Sequence, residues 1–256
     1  QGVIGEGLQR LGLPRQAFAA DKVWTSGDGA AQLEASRKLW RVPRFDLLQV
    51  HNLLAWERQL PLLQAMKAAG QLRYVGISTS EGRRHAELEQ IMRSQRIDFV
   101  QLTYNIRNRV GDGCEESADG GLSRFGRDLI ARLNENRIVV DGSHTGRRTT
   151  LEAIEIGTRP FVFSHANAHA VHPCPRNITD DQIRAAAATG GLVGINGFPA
   201  FLGAAPEPTM EDFLRHLDHV VELVGIDHAA LGIDYYEGMH PVAGAAEADK
   251  MYREQL

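Results

Sequence analysis

Residues 98–113 read DFVQLTYNIRNRVGDG, and the first part of this stretch points to the fold. The run Phe99–Thr103 is mostly apolar, and it passes without a break into a polar turn that begins at Tyr104. A short apolar run without strict polar alternation is typical of a strand buried on both faces, as in a parallel sheet. The stretch therefore predicts a buried parallel strand whose end carries polar side chains.

The same pattern, a short apolar run followed by polar residues and then by a helical segment, occurs eight times along the chain. Consecutive runs end 21 to 40 residues apart, which leaves room for one helix between two parallel strands. Eight strands that alternate with helices in a chain of this length are typical of a (β/α)8 barrel. The predicted strands are Phe18–Thr25, Asp46–His51, Tyr74–Ser78, Phe99–Tyr104, Ile138–His144, Phe161–His165, Gly191–Asn196 and Ala229–Asp234.

Helical patterns lie between these runs. The segment Ser123–Asn136 has apolar residues at the 3.6-residue period of a helix packed on a sheet. Thr179 and Gln182 form a capping box for a helix that is expected to end at Gly190. Thr209 is expected to cap a further amphipathic helix. The segments between the strands are therefore helices, as parallel pairing requires.

Together these patterns predict an α/β fold, a single (β/α)8 TIM-type barrel of eight parallel strands over residues 1–256. A doubly wound open sheet is the alternative. Its phosphate-binding G-x-G-x-x-G pattern does not follow the first predicted strand, which favours the barrel. In such a barrel the active site lies at the carboxyl ends of the strands.

Composition and charge narrow the class of protein. The formal net charge is −4 and the chain has no basic cluster, so we expect no nucleic-acid partner and no anionic membrane surface. No apolar run approaches the ~18 residues of a membrane-spanning helix, and no signal peptide opens the given chain. Two cysteines are too few for a disulfide framework. These features predict a cytoplasmic protein.

Seven chemically versatile residues end predicted strands, so a barrel would bring them to one rim. His144 and His165 end consecutive strands in the matched contexts VVDGSH and FVFSH, and imidazoles on adjacent strands can bind one or two metal ions. Asp234 could bind the metal or accept a proton from metal-bound water. The alternative is that each histidine makes only structural hydrogen bonds. The seven residues are Lys22, His51, Ser78, Tyr104, His144, His165 and Asp234.

One further residue, Arg176, and two of these seven residues have candidate roles in binding or catalysis. Arg176 follows the second of these histidines by about ten residues, and its guanidinium could bind a substrate carboxylate through two hydrogen bonds. A plain surface arginine is the alternative. Lys22 lies near the end of the first predicted strand and His51 ends the second, where a lysine beside a histidine can polarise a carbonyl group. A lysine that points into a barrel is costly to bury without such a role.

Four stretches in the first part of the chain, DKVWTS, RFDLLQVHN, GQLRYVGISTS and DFVQLTYN, resemble the aldo-keto reductases. The resemblance covers residues 1 to about 105. It implies that Lys22 and His51 are catalytic and that Ser78, Gln101 and Tyr104 hold the nicotinamide ring of NADPH. Only about the third to sixth strands of that family have a match. The strands that carry its proton-donating tyrosine and its phosphate-binding loops are missing.

The rest of the chain, from about residue 101 to residue 256, resembles the membrane dipeptidases (renal dipeptidases), which are zinc-dependent barrels. Matching stretches include DGGLSRFGRDLIARLN, IVVDGSH and FVFSHANAHAVHPCPRNITDDQIRA. The resemblance implies that His144 and His165 bind zinc, that Arg176 binds the substrate carboxylate and that Asp234 handles the nucleophilic water. Tyr104 stands where many members carry a substrate-contacting histidine. The family's H-x-D on the first strand and its bridging glutamate on the third have no counterpart.

The two resemblances meet in QLTYN, residues 101–105, which suits both families. The sequence is therefore interpreted as a hybrid of two barrel families. The leading expectation is a zinc-dependent hydrolase that cleaves dipeptide amide bonds with metal-activated water, impaired by the loss of half of the metal site unless His51 completes it. The alternatives are an NADPH-dependent carbonyl reductase and an inactive hybrid barrel. The expected partners are a small dipeptide and a second copy of the chain in a homodimer.

Overall fold

A computed structural model describes residues 2–10, 12, 15, 18–78, 84–204 and 208–234, without the side chains of residues 2–4, 7, 85 and 89. The chain divides into two compact units, Gln1–Val100 and Gln101–Leu256. Residues 79–80, which end the stretch GQLRYVGISTS, and residues 235–256 lie outside the described residues. No helix in the described part of the chain is long and apolar enough to cross a membrane.

Strands alternate with helices in the first unit, as the spacing predicts. In chain order the elements are α1 (Gly2–Arg10), β1 (Ala20–Val23), α2 (Gly29–Trp40), β2 (Phe45–His51), α3 (Trp56–Ala68), β3 (Leu72–Ser78), α4 (His85–Ser94) and β4 (Phe99–Gln101), whose last residue belongs to the second unit.

All of these strands are parallel and pair in chain order. Lys22 pairs with Gln49, Gln49 with Gly76, and Gly76 with Phe99, so one row of residues crosses β1, β2, β3 and β4. A Cβ atom at Gly76 would lie 2.9 Å from the Cβ of Phe99 and 3.0 Å from the Cγ of Gln49. Only glycine leaves room for both neighbours in this row. All seven residues of β2 are buried, as expected for a strand covered on both faces.

The second unit repeats the same alternation. Its elements are α5 (Arg124–Glu135), β5 (Val139–Asp141), α6 (Arg147–Ile156), β6 (Phe161–Val162), α7 (Asp180–Ala188), β7 (Val193–Ile195), α8 (Pro199–Leu202), α9 (Met210–Val224), a 3-10 turn (Ile226–His228) and β8 (Ala229–Leu231).

Parallel pairing also links the strands of this unit. Val140 pairs with Phe161 between β5 and β6, and Val193 pairs with Ala229 between β7 and β8. An isolated parallel bridge between Phe163 and Val193 joins the end of β6 to β7. The carboxyl ends of β5 and β6 therefore lie side by side, which places the residues that follow them close together.

The predicted helix starts are confirmed. Ser123 caps α5, and its side chain accepts a hydrogen bond from the backbone N–H of Gly126. Thr179 and Gln182 form the capping box of α7, which ends at Ala188 rather than at Gly190. Thr209 caps α9 through its side-chain bond to the Asp212 backbone. Each cap supplies a partner for an N–H group that the first helical turn leaves unpaired.

The eight predicted strands all form. β2 and β3 end at His51 and Ser78 as predicted, but four other strands that carry site candidates end three residues earlier than predicted. The reason is visible after β5, where the carboxylate of Asp141 accepts a hydrogen bond from the backbone N–H of Ser143 and turns the chain away from the strand. The apolar runs continue past the last ladder bond, so they overstate the strand lengths. The strands end at Gln101, Asp141, Val162 and Leu231, and the residues expected at their ends are Tyr104, His144, His165 and Asp234.

The predicted α/β fold with parallel strands is confirmed. The finer prediction, eight strands closed into one barrel, is not shown by the strand pairings of the described residues. A single domain over residues 1–256 likewise stays a prediction.

A glycine beside the end of β6 carries a stability prediction. A Cβ atom at Gly232 would lie 1.9 Å from the carbonyl oxygen of Ser164. We expect Gly232→Ala to lower the free energy of unfolding by about 3 kcal/mol or more, because neither backbone can move without breaking strand pairing. Urea unfolding measures the change. Gly120→Ala is the control, since its Cβ would meet only side-chain atoms, the Oδ2 of Asp112 at 3.3 Å and the Nη2 of Arg107 at 3.9 Å. Equal effects of the two substitutions would contradict the prediction.

Candidate metal centre

Two histidines of the second unit face each other at the ends of β5 and β6. The Nε2 atom of His144 lies 2.8 Å from the Nε2 atom of His165, and both residues are buried. The Oδ2 atom of Asp234, in the segment after β8, lies 3.8 Å from the same His165 nitrogen. One ligand atom from each of the three residues fits within 4.8 Å of the others. Of all the described residues, only these three form such a group.

His144 is held from behind by Asn105. Its Nδ1–H donates to the side-chain Oδ1 of Asn105 at 2.6 Å, and the thiol of Cys114 donates to the same oxygen. The backbone carbonyl of His144 accepts from the N–H groups of Asn105 and Cys114. The ring of Tyr104 stacks on the imidazole with a centroid separation of 3.9 Å. Tyr104 therefore fixes the plane of the His144 ring, and Asn105 favours a proton on its Nδ1.

His165 is held by a chain of polar groups that starts at Asp141. Its Nδ1 lies 2.6 Å from the hydroxyl of Ser164, and this hydroxyl donates to a carboxylate oxygen of Asp141. The backbone N–H of His165 donates to the hydroxyl of Ser143 at 3.0 Å. Burial raises the pKa of Asp141, and hydrogen bonds from Ser164 and Ser143 oppose that rise. The turn after β5 and the turn after β6 therefore share one buried carboxylate.

These contacts orient the two imidazoles so that both can bind one metal ion through Nε2. The group beside each Nδ1 can accept a hydrogen bond, and a ring with its proton on Nδ1 presents the lone pair of Nε2. Two lone pairs 2.8 Å apart repel each other, and a cation bound by both nitrogens removes that repulsion. Two imidazole nitrogens with a carboxylate oxygen are a donor set that zinc and similar metals take in proteins.

Three residues of the centre have left-handed backbone conformations. The φ angles are 62° at Asn105, 66° at His144 and 59° at Asp234. Non-glycine residues seldom adopt positive φ, and such residues concentrate at functional sites. In a strand, successive side chains point to opposite faces of the sheet. The left-handed conformation at each of these residues breaks that alternation and gives its side chain a different direction.

Arg176 lies beside the two histidines. The Nη2–H of this almost fully buried guanidinium donates to the backbone carbonyl of His165 at 2.7 Å, and the group sits over the ring of Phe201. Its Nε is buried and has no hydrogen-bond partner among the described residues. A buried cation with donors to spare is suited to an anionic ligand. The prediction of a plain surface arginine is therefore wrong.

Tyr104 is surrounded by charged groups of the same centre. Burial raises the pKa of its hydroxyl, the negative charge of Asp234 raises it further, and Arg176 opposes the rise. The phenol therefore keeps its proton at neutral pH and can only donate or accept as a neutral group. Burial also raises the pKa of the nearby Cys114 thiol to about 12, so this sulfur is protonated as well.

The remaining candidates lie elsewhere in their units. In the first unit the Nδ1 of His51 lies 3.0 Å from the hydroxyl of Ser78, and burial, with the charge of Lys22, lowers the pKa of His51 well below its usual value. In the second unit the side-chain amide of Gln101 donates to the backbone carbonyl of Thr103. That His51 completes the metal site, and that Ser78 and Gln101 hold a cofactor, stay predictions.

Two functional positions went unrecognised in the sequence. The sequence pattern marks the serines before His144 and His165, but it marks neither the aspartate of VVDGSH nor the asparagine of TYN as a site residue. Asp141 and Asn105 set the two imidazoles, yet neither is adjacent in sequence to the histidine that it holds. A carboxylate at the end of an otherwise apolar strand was the available signal, because a charge buried there needs several donors.

A third histidine shapes the segment that precedes Arg176. His216 on α9 is fully buried, where its Nδ1 accepts from the backbone N–H of Ala168 and its Nε2–H donates to the carbonyl of Leu202. Burial lowers the pKa of His216 to about 4, while the bond to Leu202 opposes that shift. The neutral ring is thus a structural link between α9 and the loop after β6.

This shift predicts a pH-dependent stability. Between pH 6.5 and about 4 the unfolded chain binds a proton at His216 that the folded chain does not, so stability falls as the pH falls through that window. The full shift corresponds to roughly 3 kcal/mol. We expect urea unfolding at pH 7.5, 5.5 and 4.5 to show a smaller loss for His216→Gln than for the wild type. His219→Gln, on the same helix, is the control. An unchanged pH slope in His216→Gln would refute this expectation.

A family model agrees with this geometry. The model of the membrane dipeptidase family (peptidase family M19) matches residues 50–254, most of the chain. A Klebsiella pneumoniae protein known only from its position 5′ of pqqA is 38% identical over 142 residues, 52% of each chain. A Schizosaccharomyces pombe protein named as an uncharacterized dipeptidase is 32% identical over 143 residues, 54% of this chain and 35% of its own. The chain spans about a third to a half of the length of such curated relatives.

Solved structures of this kind share the fold. An amidohydrolase from Pseudomonas aeruginosa matches with a TM-score of 0.60 and 27% identity, over 93% of this chain and 71% of that one. A metallopeptidase of family M19, dipeptidase AC, matches with a TM-score of 0.67 and 20% identity, over 94% and 91% of the two chains.

The predicted aldo-keto reductase segment has weaker support. Solved aldo-keto reductases, one of them from Klebsiella pneumoniae, match 54% to 58% of the chain with TM-scores of 0.35 to 0.40, which are too low to carry an argument. The dipeptidase family model, moreover, begins at residue 50, well inside the segment assigned to the reductases. The interpretation as a hybrid of two families is therefore not confirmed. The chain belongs to the membrane dipeptidase family, peptidase family M19.

Proposed function

We propose that the chain is a metal-dependent, dipeptidase-like hydrolase with zinc as its metal ion. The observation that carries this proposal is the convergence of two buried imidazole Nε2 atoms and one partly buried carboxylate in the group formed by His144, His165 and Asp234. Membership of the M19 family and relatives named as dipeptidases support it. Bound by these residues, a zinc ion would act as a Lewis acid and supply an activated water molecule.

Arg176 would bind the free carboxylate of the dipeptide. The guanidinium offers N–H groups in a planar fork that matches the two oxygens of a carboxylate. Its Nε has no partner among the described residues, and its bond to the His165 carbonyl holds it next to the metal ligands. A substrate anchored there by its carboxylate would be oriented before reaction, which lowers the entropic part of the barrier.

Tyr104 would donate a hydrogen bond to the carbonyl oxygen of the amide that is cleaved. Its hydroxyl stays protonated because burial and Asp234 raise its pKa, and it makes no hydrogen bond to any described residue. A neutral donor aimed at an oxygen that gains negative charge stabilises the transition state. In this role the phenol needs no change of protonation during the reaction.

Asp234 would take the proton of the attacking water and pass it to the leaving amine. Its carboxylate lies 3.8 Å from the Nε2 of His165, and it is only partly buried. A carboxylate in reach of both water and the scissile bond can serve first as general base and then as general acid.

The closed barrel belongs to the same proposal. The likeness to dipeptidase AC, with a TM-score of 0.67, supports a TIM-type arrangement in which all eight strands contribute their ends to one face.

Elemental mass spectrometry of the purified protein tests the metal centre. We expect close to one zinc ion per chain in the wild type and almost none in the double variant His144→Ala/His165→Ala. The double variant His169→Ala/His172→Ala is the matched control, because it removes two imidazoles from the adjoining loop and should keep the metal. Unblocked dipeptides are then offered to the zinc-loaded wild type. A wild type without bound metal contradicts the centre, and a zinc-loaded wild type that cleaves no dipeptide contradicts the hydrolase.

A further inference from the structure

We propose that Asp141 is a positioning residue that acts through the hydroxyl of Ser164 to keep the Nε2 of His165 free of a proton. The inference rests on the proposed metal centre, since an imidazole can bind a metal ion only through a nitrogen with an available lone pair. It assigns a role in metal binding to a carboxylate that does not itself belong to the ligand group.

Both carboxylate oxygens of Asp141 accept hydrogen bonds from neighbouring groups. The residue is completely buried at the end of β5. Its Oδ1 accepts the backbone N–H of Ser143 at 2.9 Å and the backbone N–H of Ser164 at 3.0 Å. Its Oδ2 accepts the hydroxyl proton of Ser164. As a carboxylate it has no proton to give, so every hydrogen bond in this group must point toward it.

The direction of these bonds decides which nitrogen of His165 carries the proton. A serine hydroxyl has one proton, and that of Ser164 goes to Asp141. The same oxygen can then only accept from the Nδ1 of His165, 2.6 Å away, so the ring proton stays on Nδ1. The hydroxyl of Ser143 lies 3.3 Å from that of Ser164 and accepts from the backbone N–H of His165, which holds the imidazole at this distance.

Exchange of Asp141 for asparagine keeps the shape of this group and reverses its polarity. In Asp141→Asn the amide oxygen can still accept the two backbone N–H groups, while the amide NH2 faces the hydroxyl of Ser164. That hydroxyl then accepts from the amide and donates its own proton to the Nδ1 of His165. The ring remains neutral, but its one proton now resides on Nε2, which is the atom that must bind the metal.

Nitrogen NMR of the metal-free full chain, labelled with 15N-histidine, reads this proton directly. In the wild type we expect His144 and His165 both to carry the proton on Nδ1. In Asp141→Asn we expect His165 to carry it on Nε2, while His144, held separately by Asn105, stays unchanged. His144 is therefore an internal control in the same spectrum. A wild-type His165 protonated on Nε2 overturns the proposal, and so does a change in both rings, which would mean that Asp141 only maintains the fold.

Zinc affinity supplies a second readout. We expect Asp141→Asn to weaken zinc binding by about 10- to 100-fold, the usual effect of losing a group that orients a metal ligand. Ser164→Ala should weaken it as well, whereas Ser164→Thr keeps the hydroxyl and should bind zinc nearly as the wild type does. An Asp141→Asn protein with wild-type affinity contradicts the proposal. A wild type that binds no zinc but shows the expected ring protons instead refutes the proposed function and leaves the role of Asp141 standing.

Discussion

Replacement of Arg176 by methionine is expected to lower kcat/KM for an unblocked dipeptide by about 10²- to 10³-fold, the consequence of removing one partner of a buried charge pair. Methionine keeps an unbranched apolar stem but lacks the guanidinium, whose Cζ lies over the ring of Phe201, so the loss is that of the guanidinium. The same measurement on a dipeptide whose carboxylate is converted to an amide should show little difference between variant and wild type.

The comparison of the two substrates shows whether Arg176 binds the substrate carboxylate or only stabilises the protein. If Arg176→Met lost activity equally on the carboxylate and on the amide, Arg176 would only brace the His165 carbonyl through its Nη2–H. Arg147→Met is the control on the same unit, because Arg147 makes an exposed ion pair with Asp181. Exposed pairs of this kind contribute little, so this variant should keep full activity.

Replacement of Asp234 by asparagine is expected to reduce kcat by about 10²- to 10⁴-fold with little change in KM, because general acid–base catalysis contributes at this scale. Asparagine suits the test, since it tolerates the left-handed backbone that Asp234 adopts and is nearly the same size. Single-turnover and steady-state kinetics on the zinc-loaded variant give both constants.

Zinc content distinguishes the two roles open to Asp234. A variant that keeps zinc through His144 and His165 but has lost turnover supports proton transfer by the carboxylate. A variant that has lost zinc shows that the carboxylate acts mainly as the third ligand. Unchanged kcat in a zinc-loaded Asp234→Asn protein would rule out the proposed base.

Much of the fold follows from local rules that the sequence displays. Thr179 and Gln182 form a capping box, and Ser123 and Thr209 precede amphipathic segments. The starts of α7, α5 and α9 could therefore be predicted. The apolar runs identified all eight strands, because strands that are buried on both faces consist mostly of apolar residues. Pairing of His144 with His165 was also predictable, since consecutive parallel strands place their ends together.

The fine geometry of the centre depends on contacts that no periodic pattern encodes. Asn105 meets His144 from a distance of 39 residues, and Ser164 meets Asp141 from 23. The early ends of the strands depend on a side chain that binds backbone N–H groups, as Asp141 does. Burial of Arg176 could not be foreseen either, because the loop that carries it has no amphipathic period.

The left-handed residues Asn105, His144 and Asp234 have a consequence for how an ion would enter. Each such conformation costs on the order of 1 kcal/mol or more, and neighbouring hydrogen bonds, such as those to the His144 carbonyl, sustain it in the protein alone. The imidazole of His144 is therefore held in position by described residues before an ion binds. Uptake of zinc should then be as fast as the ion can shed its own hydration shell, and the chain should look almost the same before and after.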